Sequence, residues 1–368
     1  MRVLQVAACP YPSPQGSQVY VRGTARALAD AGHDVIVAAY GHGVGPADPR
    51  VSVVRTPHVP GYQRMRSGPD PVKPLLDLAV AAVVARTPAD IVHAHNYEGL
   101  AAALLARRYT GTPVVYAAHT LLEDELPTYV SRGRGAWRRL GGWVDRALPR
   151  QADAVLALSA QGAAALQRLG CRRVVHIPPG LHPGDYVGVR PRRLSPGPTL
   201  VYAGTSDTFQ DLDVLYAAME ALPGVTLLVV SHGGPLGERA SSVGARVVHP
   251  ADWQEARDWI AGADVAAVPR TRCAGFPMKL LNYLALGLPT VVAAGSAQGL
   301  PGEIVVPNGD SAAFAAGVRA ALGGAGRPDP ATLQSTCAWA TRAAEITGLY
   351  ADVLRNPLNG RDPASTLW

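Results

Sequence analysis

Residues 270–292, RTRCAGFPMKLLNYLALGLPTVV, contain the pattern that decides the fold. They join a predicted strand, Val265–Val268, to a second one, Thr290–Ala294, through a Gly-Phe-Pro loop and an apolar helix. A turn that leads directly into a helix gathers free backbone N–H groups and the positive end of the helix dipole, and together these attract phosphate. Lys279 lies in the first helical turn, where the dipole disfavours a cation, so we expect an anion to bind beside it.

Strand and helix patterns alternate along almost the whole chain, which predicts parallel sheets covered on both faces. In the first half the predicted strands are Val3–Ala8, Asp34–Ala39, Ser52–Arg55, Ile91–His93, Pro113–Ala117 and Ala154–Leu158, and the helices include Val19–Ala31, Leu75–Arg86 and Leu100–Tyr109. A second series has strands at Thr199–Ala203, Thr226–Val230, Arg246–Val248, Val265–Val268 and Thr290–Ala294, and a final helix at Ala338–Leu354.

The segment 188–198 is rich in Pro, Gly and Arg and has no periodicity, which is typical of an interdomain linker. We therefore predict a first domain at 1–185, a linker at 186–198 and a second domain at 199–340. Residues 341–368 are predicted to form a helix and tail that return to the first domain. Two such domains would bring the carboxyl ends of their strands, where ligands bind, to the two sides of one cleft.

The composition indicates a soluble globular protein: of 368 residues, 48% are hydrophobic and 17% charged. No run of about 18 apolar residues occurs, so we expect no membrane span. The short apolar N-terminus runs into Pro10-Tyr11-Pro12, which favours a first strand over a signal peptide. Four scattered cysteines predict reduced thiols in a cytoplasmic protein. The net charge of +6 suits a partner with phosphates, but the dispersed arginines argue against nucleic acid.

The run at 270–292 resembles the nucleotide-sugar clamp of retaining GT-B glycosyltransferases, specifically glycosyltransferase family 4. The usual pattern there is Glu-Gly-Phe, five residues, then Glu-Ala-Met-Ala-x-Gly-x-Pro-Val-Val. Here Ala274 and Asn282 occupy the two glutamate positions, and the chain is closer to a Pro-x-Lys-x-x-x-Tyr-Leu-Ala-x-Gly form of the family. In the family the first glutamate lies near the sugar hydroxyls and the second binds the ribose. Asn282 retains hydrogen-bonding capacity for that role, whereas Ala274 offers only its backbone.

The resemblance implies a GT-B fold of two Rossmann-like domains that face a cleft, with the final helix crossing back to the first domain. It also implies retaining transfer from a nucleotide-diphosphate sugar, a UDP-sugar by expectation, without a bound metal ion or a cofactor. In place of the family's arginine and lysine at the leaving diphosphate, this chain has Thr205 and Gln210. We expect Lys279 to supply the missing charge, as a catalytic residue. The other expected donor-binding residues are Gly16, Ser17, Gly204, His232, Arg270, Gly275, Phe276, Pro277 and Met278.

On the acceptor side the resemblance points to His119, which ends a strand and is expected to bind the donor sugar through its 6-hydroxyl as a second catalytic residue. His95 and Asn96 resemble the family's acceptor-side turn. The acidic run at 123–125 is either a solvated loop or an acceptor contact through Glu123 and Asp124, which would suit a basic acceptor. We predict no metal site, because no carboxylate or thiol at suitable spacing accompanies the histidines. Asp211 and Asp213 mimic a metal-binding pair but fall in a helix-like stretch.

The segment 132–150 is basic and contains two tryptophans, so it could lie on an anionic membrane surface as a peripheral contact. The alternative is a solvated helix. We favour the solvated helix, because Gly133, Gly135, Gly141 and Gly142 weaken any long amphipathic helix.

The sequence therefore predicts a glycosyltransferase that uses a nucleotide-sugar donor and a small-molecule or lipid-linked glycan acceptor. The alternative is a GT-B protein that binds a nucleotide sugar with little or no transfer activity and assists a partner glycosyltransferase. A hydrolysing 2-epimerase of the same fold would need clustered acidic and basic residues, which the sequence does not show. The sequence does not specify the nucleotide base, the sugar, the acceptor or the oligomeric state.

Overall fold

The computed structural model describes residues 1–13, 16–45, 47–62, 70–231, 238–356 and 358. The chain forms two compact units. The first consists of Met1–Gly180 together with the chain from Trp339 onward, and the second is Leu181–Ala338. Each unit has its own sheet and its own buried apolar core.

In the described part of the first unit, seven parallel strands have the order β3-β2-β1-β4-β5-β6-β7. The strands are β1 (Arg2–Ala7), β2 (Asp34–Ala39), β3 (Ser52–Arg55), β4 (Ile91–His95), β5 (Val114–Ala118), β6 (Ala154–Ala157) and β7 (Val174–His176). The helices are α1 (Gly16–Asp30), α2 (Lys73–Arg86), α3 (Asn96–Thr110), α4 (Leu122–Glu125), α5 (Arg134–Ala147) and α6 (Ala160–Arg168). The central strands β4, β5 and β6 are buried along their whole length, which explains their continuous apolar sequences.

The described residues of the second unit form a six-stranded parallel sheet of order β10-β9-β8-β11-β12-β13. Its strands are β8 (Thr199–Ala203), β9 (Thr226–Val230), β10 (Arg246–Val248), β11 (Val265–Val268), β12 (Thr290–Ala293) and β13 (Glu303–Val306). Its helices are α7 (Leu212–Glu220), α8 (Glu238–Ser242), α9 (Trp253–Ala261), α10 (Met278–Ala285), α11 (Ser311–Leu322) and α12 (Pro330–Thr336). Short 3-10 turns in the two units occupy Leu126–Tyr129, Pro149–Gln151, Pro183–Tyr186, Thr208–Gln210 and Ala294–Ser296.

A final helix, α13 (Trp339–Arg355), belongs to the first unit, as the sequence predicted for the end of the chain. Its apolar side is buried through Trp339, Ile346, Leu349, Tyr350 and Val353. The indole of Trp339 lies against α1, where a Cβ added at Gly23 would come within 2.7 Å of the ring. The glycine is therefore needed for this close approach of helix and ring.

The two parallel-sheet α/β domains predicted from the sequence are confirmed. The segment 186–198, predicted to be a linker, lies within the second unit. There the backbone N–H of Arg192 donates to the Asp258 carbonyl at 2.9 Å, and the Arg193 guanidinium pairs with Asp264 at 2.8 Å. Polar contacts of this kind do not produce a hydrophobic periodicity. The composition of the segment therefore predicted a linker.

Residues 132–150, for which we favoured a solvated helix weakened by its glycines, contain α5, which runs unbroken for 14 residues. Gly141 is buried in the middle of the helix, where a Cβ would lie 2.4 Å from the backbone carbonyl carbon of Leu122. The lost helix propensity is thus offset by close packing of α4 on α5. Among the helices that the structure describes, none is long and apolar enough to cross a bilayer.

Candidate functional site

In each unit the candidate residues gather where the strand order reverses. In the first sheet the reversal lies between β1 and β4, and in the second between β8 and β11. Loops at the carboxyl ends of such a strand pair form the usual ligand crevice of an open α/β sheet. Candidate residues follow these strands: Gly16 and Ser17 after β1, His95 and Asn96 at the end of β4, Gly204 after β8, and Arg270 after β11.

The first unit brings His95 and His119 together. The His95 Nδ1 and His119 Nε2 atoms are 3.2 Å apart, so one ring donates a hydrogen bond to the other. Tyr20 in α1 contacts both rings edge-on, at centroid distances of 5.9 Å and 4.9 Å. Desolvation lowers the pKa of His119 to about 3, and the pKa of His95 also lies well below its usual value. Both imidazoles are therefore neutral at pH 7, and because the Nε2 of His119 is engaged by His95, its Nδ1 is the atom left to donate to or accept from a sugar hydroxyl.

A third buried histidine, His93, packs against this pair. The His93 ring stacks on His95 at a centroid distance of 4.5 Å, and its Nδ1 lies 2.6 Å from the Tyr350 hydroxyl in α13. Burial, with a smaller contribution from His119, lowers the pKa of His93 to about 3. Sequence spacing alone could not reveal this pairing, because Tyr350 is separated from His93 by more than 250 residues.

The acidic run after His119 forms the short helix α4, not an irregular loop. Its backbone N–H groups at Leu122 and Glu123 donate to the buried carboxylate of Asp145, each at 2.9 Å. The Tyr97 hydroxyl donates to the same carboxylate. Glu123 is exposed and Asp124 half-buried. Asp145, which the sequence analysis did not select, therefore fixes the position of both acceptor candidates; its signal was that it is the sole acid within residues 132–150.

Other candidates of the first unit lie at helix starts. Gly16 and Ser17 begin α1, and the Ser17 hydroxyl donates to the Gln18 amide oxygen at 2.8 Å. Gly16 is exposed, and a Cβ there would meet no other atom within 4 Å. Asn96 begins α3 with a positive φ of 59°, a conformation that asparagine tolerates better than most residues.

In the second unit Lys279 is the centre of the candidate site. It lies in the first turn of α10, and its Nζ donates to the Gln210 Oε1 at 3.0 Å. The same ammonium group lies 4.0 Å from the centroid of the Tyr202 ring. In the part of the chain that the structure describes, no carboxylate pairs with it. Burial, and then the nearby charge of Arg270, lowers the pKa of Lys279 to about 7.

Gly204 closes one side of this cation site. Its φ of +143° is a backbone conformation reserved for glycine, and a Cβ there would lie 2.8 Å from the Lys279 Nζ. The next residue, Thr205, is exposed and directs its hydroxyl to Asp207 at 2.6 Å. Thr205 therefore contributes no charge to replace the family's arginine.

Arg270 stands close enough to influence Lys279 but is held by its own neighbours. Its guanidinium lies 5.0 Å from the Phe209 ring centroid, and its Nε donates to the carbonyl of Arg272 at 2.7 Å. Between Arg270 and α10, Gly275 and Pro277 are buried, whereas Ala274, Phe276 and Met278 are half-buried. This segment leads into the helix as the sequence predicted.

Asn282, at one of the family's glutamate positions, has a partner that the sequence did not reveal. Its Oδ1 accepts a hydrogen bond from the Tyr186 hydroxyl at 2.7 Å. Within the described residues the Asn282 amide nitrogen has no hydrogen-bond partner, so its N–H groups can donate at a position where a glutamate could only accept. Tyr186 was missed because it falls at the start of the segment interpreted as a linker.

Of the two aspartates that mimic a metal motif, Asp213 lies in the first turn of α7 and Asp211 has a structural role. Asp211 precedes α7 with a positive φ of 53°, and its carboxylate accepts from the backbone N–H and hydroxyl of Thr271 at 2.7 Å and 2.6 Å. Asp211 thus ties α7 to the loop after β11. His232, expected to bind the donor, lies outside the described residues.

Two family models match the chain in sequence. The model described as Glycosyltransferase Family 4 matches residues 14–184, and the model described as Glycosyl transferases group 1 matches residues 197–323. Among characterised relatives, a phosphatidyl-myo-inositol mannosyltransferase of Propionibacterium freudenreichii subsp. shermanii is 28% identical over 314 residues, covering 80% of this chain and 77% of the relative. A D-inositol 3-phosphate glycosyltransferase of Xylanimonas cellulosilytica is 29% identical over 327 residues, with 76% and 75% covered.

Solved structures share the fold across almost the whole length. Sucrose-phosphate synthase from Thermosynechococcus elongatus superposes with a TM-score of 0.77 at 19% identity, covering 96% of this chain and 99% of that one. Anabaena HepE in complex with UDP-glucose gives a TM-score of 0.67 at 16% identity, covering 96% and 100%. At such identities the similarity concerns the fold alone.

Proposed function

Because this chain belongs to glycosyltransferase family 4, we propose that it transfers a sugar from a nucleotide-diphosphate sugar to an acceptor hydroxyl with retention of the anomeric configuration and without a metal ion. The observation that carries the proposal is the position of Lys279. A half-buried ammonium group without a carboxylate partner in the described chain, at a helix N-terminus, is a site for an anion. A donor diphosphate carries the negative charge that such a site would bind.

In the proposed reaction the bond between the sugar C1 and the diphosphate oxygen breaks, and the acceptor oxygen bonds to C1 from the same face. The acceptor proton passes to an oxygen of the leaving phosphate, so no pair of carboxylic acids is needed. Lys279 and the N–H groups at the start of α10 stabilise the negative charge that develops on the diphosphate, a contribution worth about 10²–10³ in rate per donor by analogy with oxyanion holes. The neutral His119 binds a sugar hydroxyl.

The names of the characterised relatives guide the choice of substrates. One acts on phosphatidyl-myo-inositol and another on D-inositol 3-phosphate, so we propose an inositol-type acceptor as the first to test. UDP is the first nucleotide, because a structure of the same fold has been solved with UDP-glucose. GDP-mannose is the second donor to test.

The decisive experiment is calorimetric titration of UDP into the parent and into Lys279→Met. This change keeps the length of the side chain and removes its charge. A lost charge-assisted contact is worth roughly 1.5–3 kcal/mol, so the affinity should fall by about one to two orders of magnitude. The chain's other lysine, Lys73, pairs with Glu98 at 3.8 Å in the first unit, and Lys73→Met is a matched control that should bind as the parent does.

Equal dissociation constants for Lys279→Met and the parent would contradict the role of Lys279. Incubation of UDP-glucose or GDP-mannose with myo-inositol phosphates, followed by NMR of the product anomer, tests transfer and retention separately. An inverted anomer would reject the retaining reaction, and donor binding without any product would favour an auxiliary protein.

A further inference from the structure

The outer face of α5 carries an apolar stripe. Ala136, Leu140, Trp143 and Ala147 recur at the spacing that places them on one side of a helix. Leu140 is 46% exposed and Trp143 is 65% exposed, so both large apolar side chains are open to solvent. An exposed apolar patch of this kind on a surface helix is typical of a site that binds another protein or a membrane.

Positive charge surrounds this stripe. Residues 132–150 contain six arginines, and Arg139 and Arg146 lie about two helical turns apart beside the apolar residues. Arg138, Arg139 and Arg146 are exposed, and within the described chain none of them forms an ion pair. The sole acid of the segment, Asp145, is fully buried and accepts hydrogen bonds on the opposite side of the helix. The outer face therefore carries cations without anions.

The inner face of α5 is fixed to the first unit. Gly141 allows the Leu122 backbone to approach, and the Asp145 carboxylate binds the N–H groups of Leu122 and Glu123. The helix is thus held rigidly, with its apolar and basic face turned away from α4. The Glu123 carboxylate lies at one flank, where a Cβ at Gly142 would be 3.3 Å from its Oε2.

We propose that the outer face of α5 docks on an anionic lipid bilayer. An amphipathic helix of this kind lies in the plane of the interface, with its apolar residues among the acyl chains and its arginines at the lipid phosphates. A nucleic acid would match the arginines but not the apolar stripe between them. The docking would hold the first unit on the bilayer through α5, with α4 packed on the side of α5 that faces away from the lipid. It goes beyond the proposed transfer reaction and can be tested without any sugar donor.

The test is sedimentation of the full chain with vesicles of phosphatidylcholine alone and of phosphatidylcholine with 30 mol% phosphatidylglycerol, about the fraction of a strongly anionic membrane. We expect binding to the anionic vesicles and little to the neutral ones. Arg139→Gln/Arg146→Gln should lower the partition coefficient by about 25-fold, since each arginine near an anionic surface contributes about fivefold. Leu140→Gln/Trp143→Gln should lower it by about tenfold or more through lost apolar burial.

A matched control is Leu75→Gln/Arg86→Gln on α2, which removes an exposed leucine and an exposed arginine from another helix and should leave binding unchanged. Circular dichroism verifies that each variant is folded. Absence of binding to anionic vesicles would overturn the proposal. Binding that depends on the arginines but not on Leu140 and Trp143, and that is equally strong for a nucleic acid, would overturn it in favour of a polyanion site.

Discussion

At the scale of single residues, the chemistry of Lys279 depends strongly on its surroundings. Its ammonium group lies against an amide oxygen and an aromatic ring, neither of which carries a full negative charge. The pKa of about 7 places its titration within the range in which proteins are ordinarily assayed. The affinity for a donor should therefore depend on pH through this one side chain.

We expect UDP-glucose to bind more tightly at pH 6 than at pH 8.5. The bound diphosphate favours the ammonium form and raises the pKa of Lys279 in the complex, so protons are taken up on binding above pH 7. The affinity should decrease above pH 7 by at most about tenfold per pH unit. Calorimetry across this range measures the effect, because the diphosphate of UDP-glucose does not itself titrate there.

Stability without ligand should change with pH in the opposite direction. The pKa of Lys279 is lower in the folded protein than its ordinary value of 10.5, so between pH 7 and that value the unfolded state binds more protons. The free energy of unfolding therefore rises with pH over this interval. In Lys279→Met both pH dependences should lose this component, and a parent whose UDP-glucose affinity is constant from pH 6 to pH 8.5 would contradict the assignment.

For His119 we expect a large effect on transfer and a small effect on folding. His119→Ala removes a hydrogen bond to the sugar and should lower kcat/KM by about tenfold to a hundredfold, while the melting temperature changes little. With its pKa at about 3, the imidazole is neutral throughout pH 5–9 and adds no pH dependence there. The exposed His58, changed to Ala, is the control. Near-normal turnover of His119→Ala on a verified acceptor would make the histidine purely structural.

At the scale of elements, the contact between α4 and α5 depends on one glycine. Gly141→Ala forces a Cβ to 2.4 Å from the Leu122 backbone, which cannot move without losing the hydrogen bonds to Asp145. We expect a loss of about 2 kcal/mol in the free energy of unfolding, despite the better helix propensity of alanine. Urea denaturation of the full chain measures the change.

Gly135→Ala in the same helix provides the comparison. A Cβ at Gly135 meets nothing within 4 Å, so the substitution should stabilise the protein by about 0.5 kcal/mol. If both alanines have the same effect, propensity rather than packing governs α5.

This helix also shows where reasoning from the sequence reaches its limit. Buried parallel strands such as β8 and β9 have continuous apolar sequences, and their bounds were predicted to the residue. The edge strands β7 and β13, which are short and partly exposed, were missed, although the equally short and exposed edge strands β3 and β10 were predicted. The packing partner of Gly141 was equally invisible, since only the fold brings Leu122 against it.

The residues of the candidate site also fall into those that the sequence predicted and those that it missed. Gln210 and Lys279 were selected by local motif, and the structure shows them in contact. Asp145 and Tyr186 were not selected, because each acts through a hydrogen bond to a residue far away in sequence. Local patterns thus identify groups at strand ends, whereas the residues that orient them emerge only from tertiary structure.

At the scale of the whole molecule, the first unit is assembled from two separate parts of the chain. Residues 1–180 supply the sheet, and α13 supplies a buried helix that contacts α1 and backs the histidine cluster through Tyr350. Tyr20 meets the Trp339 ring at a centroid distance of 5.4 Å. The second unit, by contrast, is continuous in sequence.

We therefore expect a fragment of residues 181–338 to fold alone and a fragment of residues 1–180 to remain without fixed tertiary structure. Adding a peptide of residues 339–356 to the latter should restore it, because the peptide replaces the missing apolar helix face. Near-ultraviolet circular dichroism reports the packing of the aromatic residues. A native spectrum for residues 1–180 without the peptide would show that α13 is dispensable for this fold.

The return of α13 to the first unit also has a consequence for biosynthesis. When residue 180 leaves the ribosome, the surface of α1 around Gly23 and Tyr20 has no partner, because α13 has not yet been translated. Residues 181–338 come in between, which takes roughly 10–30 s at about 5–20 residues per second. For that interval the nascent first unit exposes the surface of α1 that Trp339 later covers. We expect the later-made second unit, which is continuous in sequence, to reach its native state first.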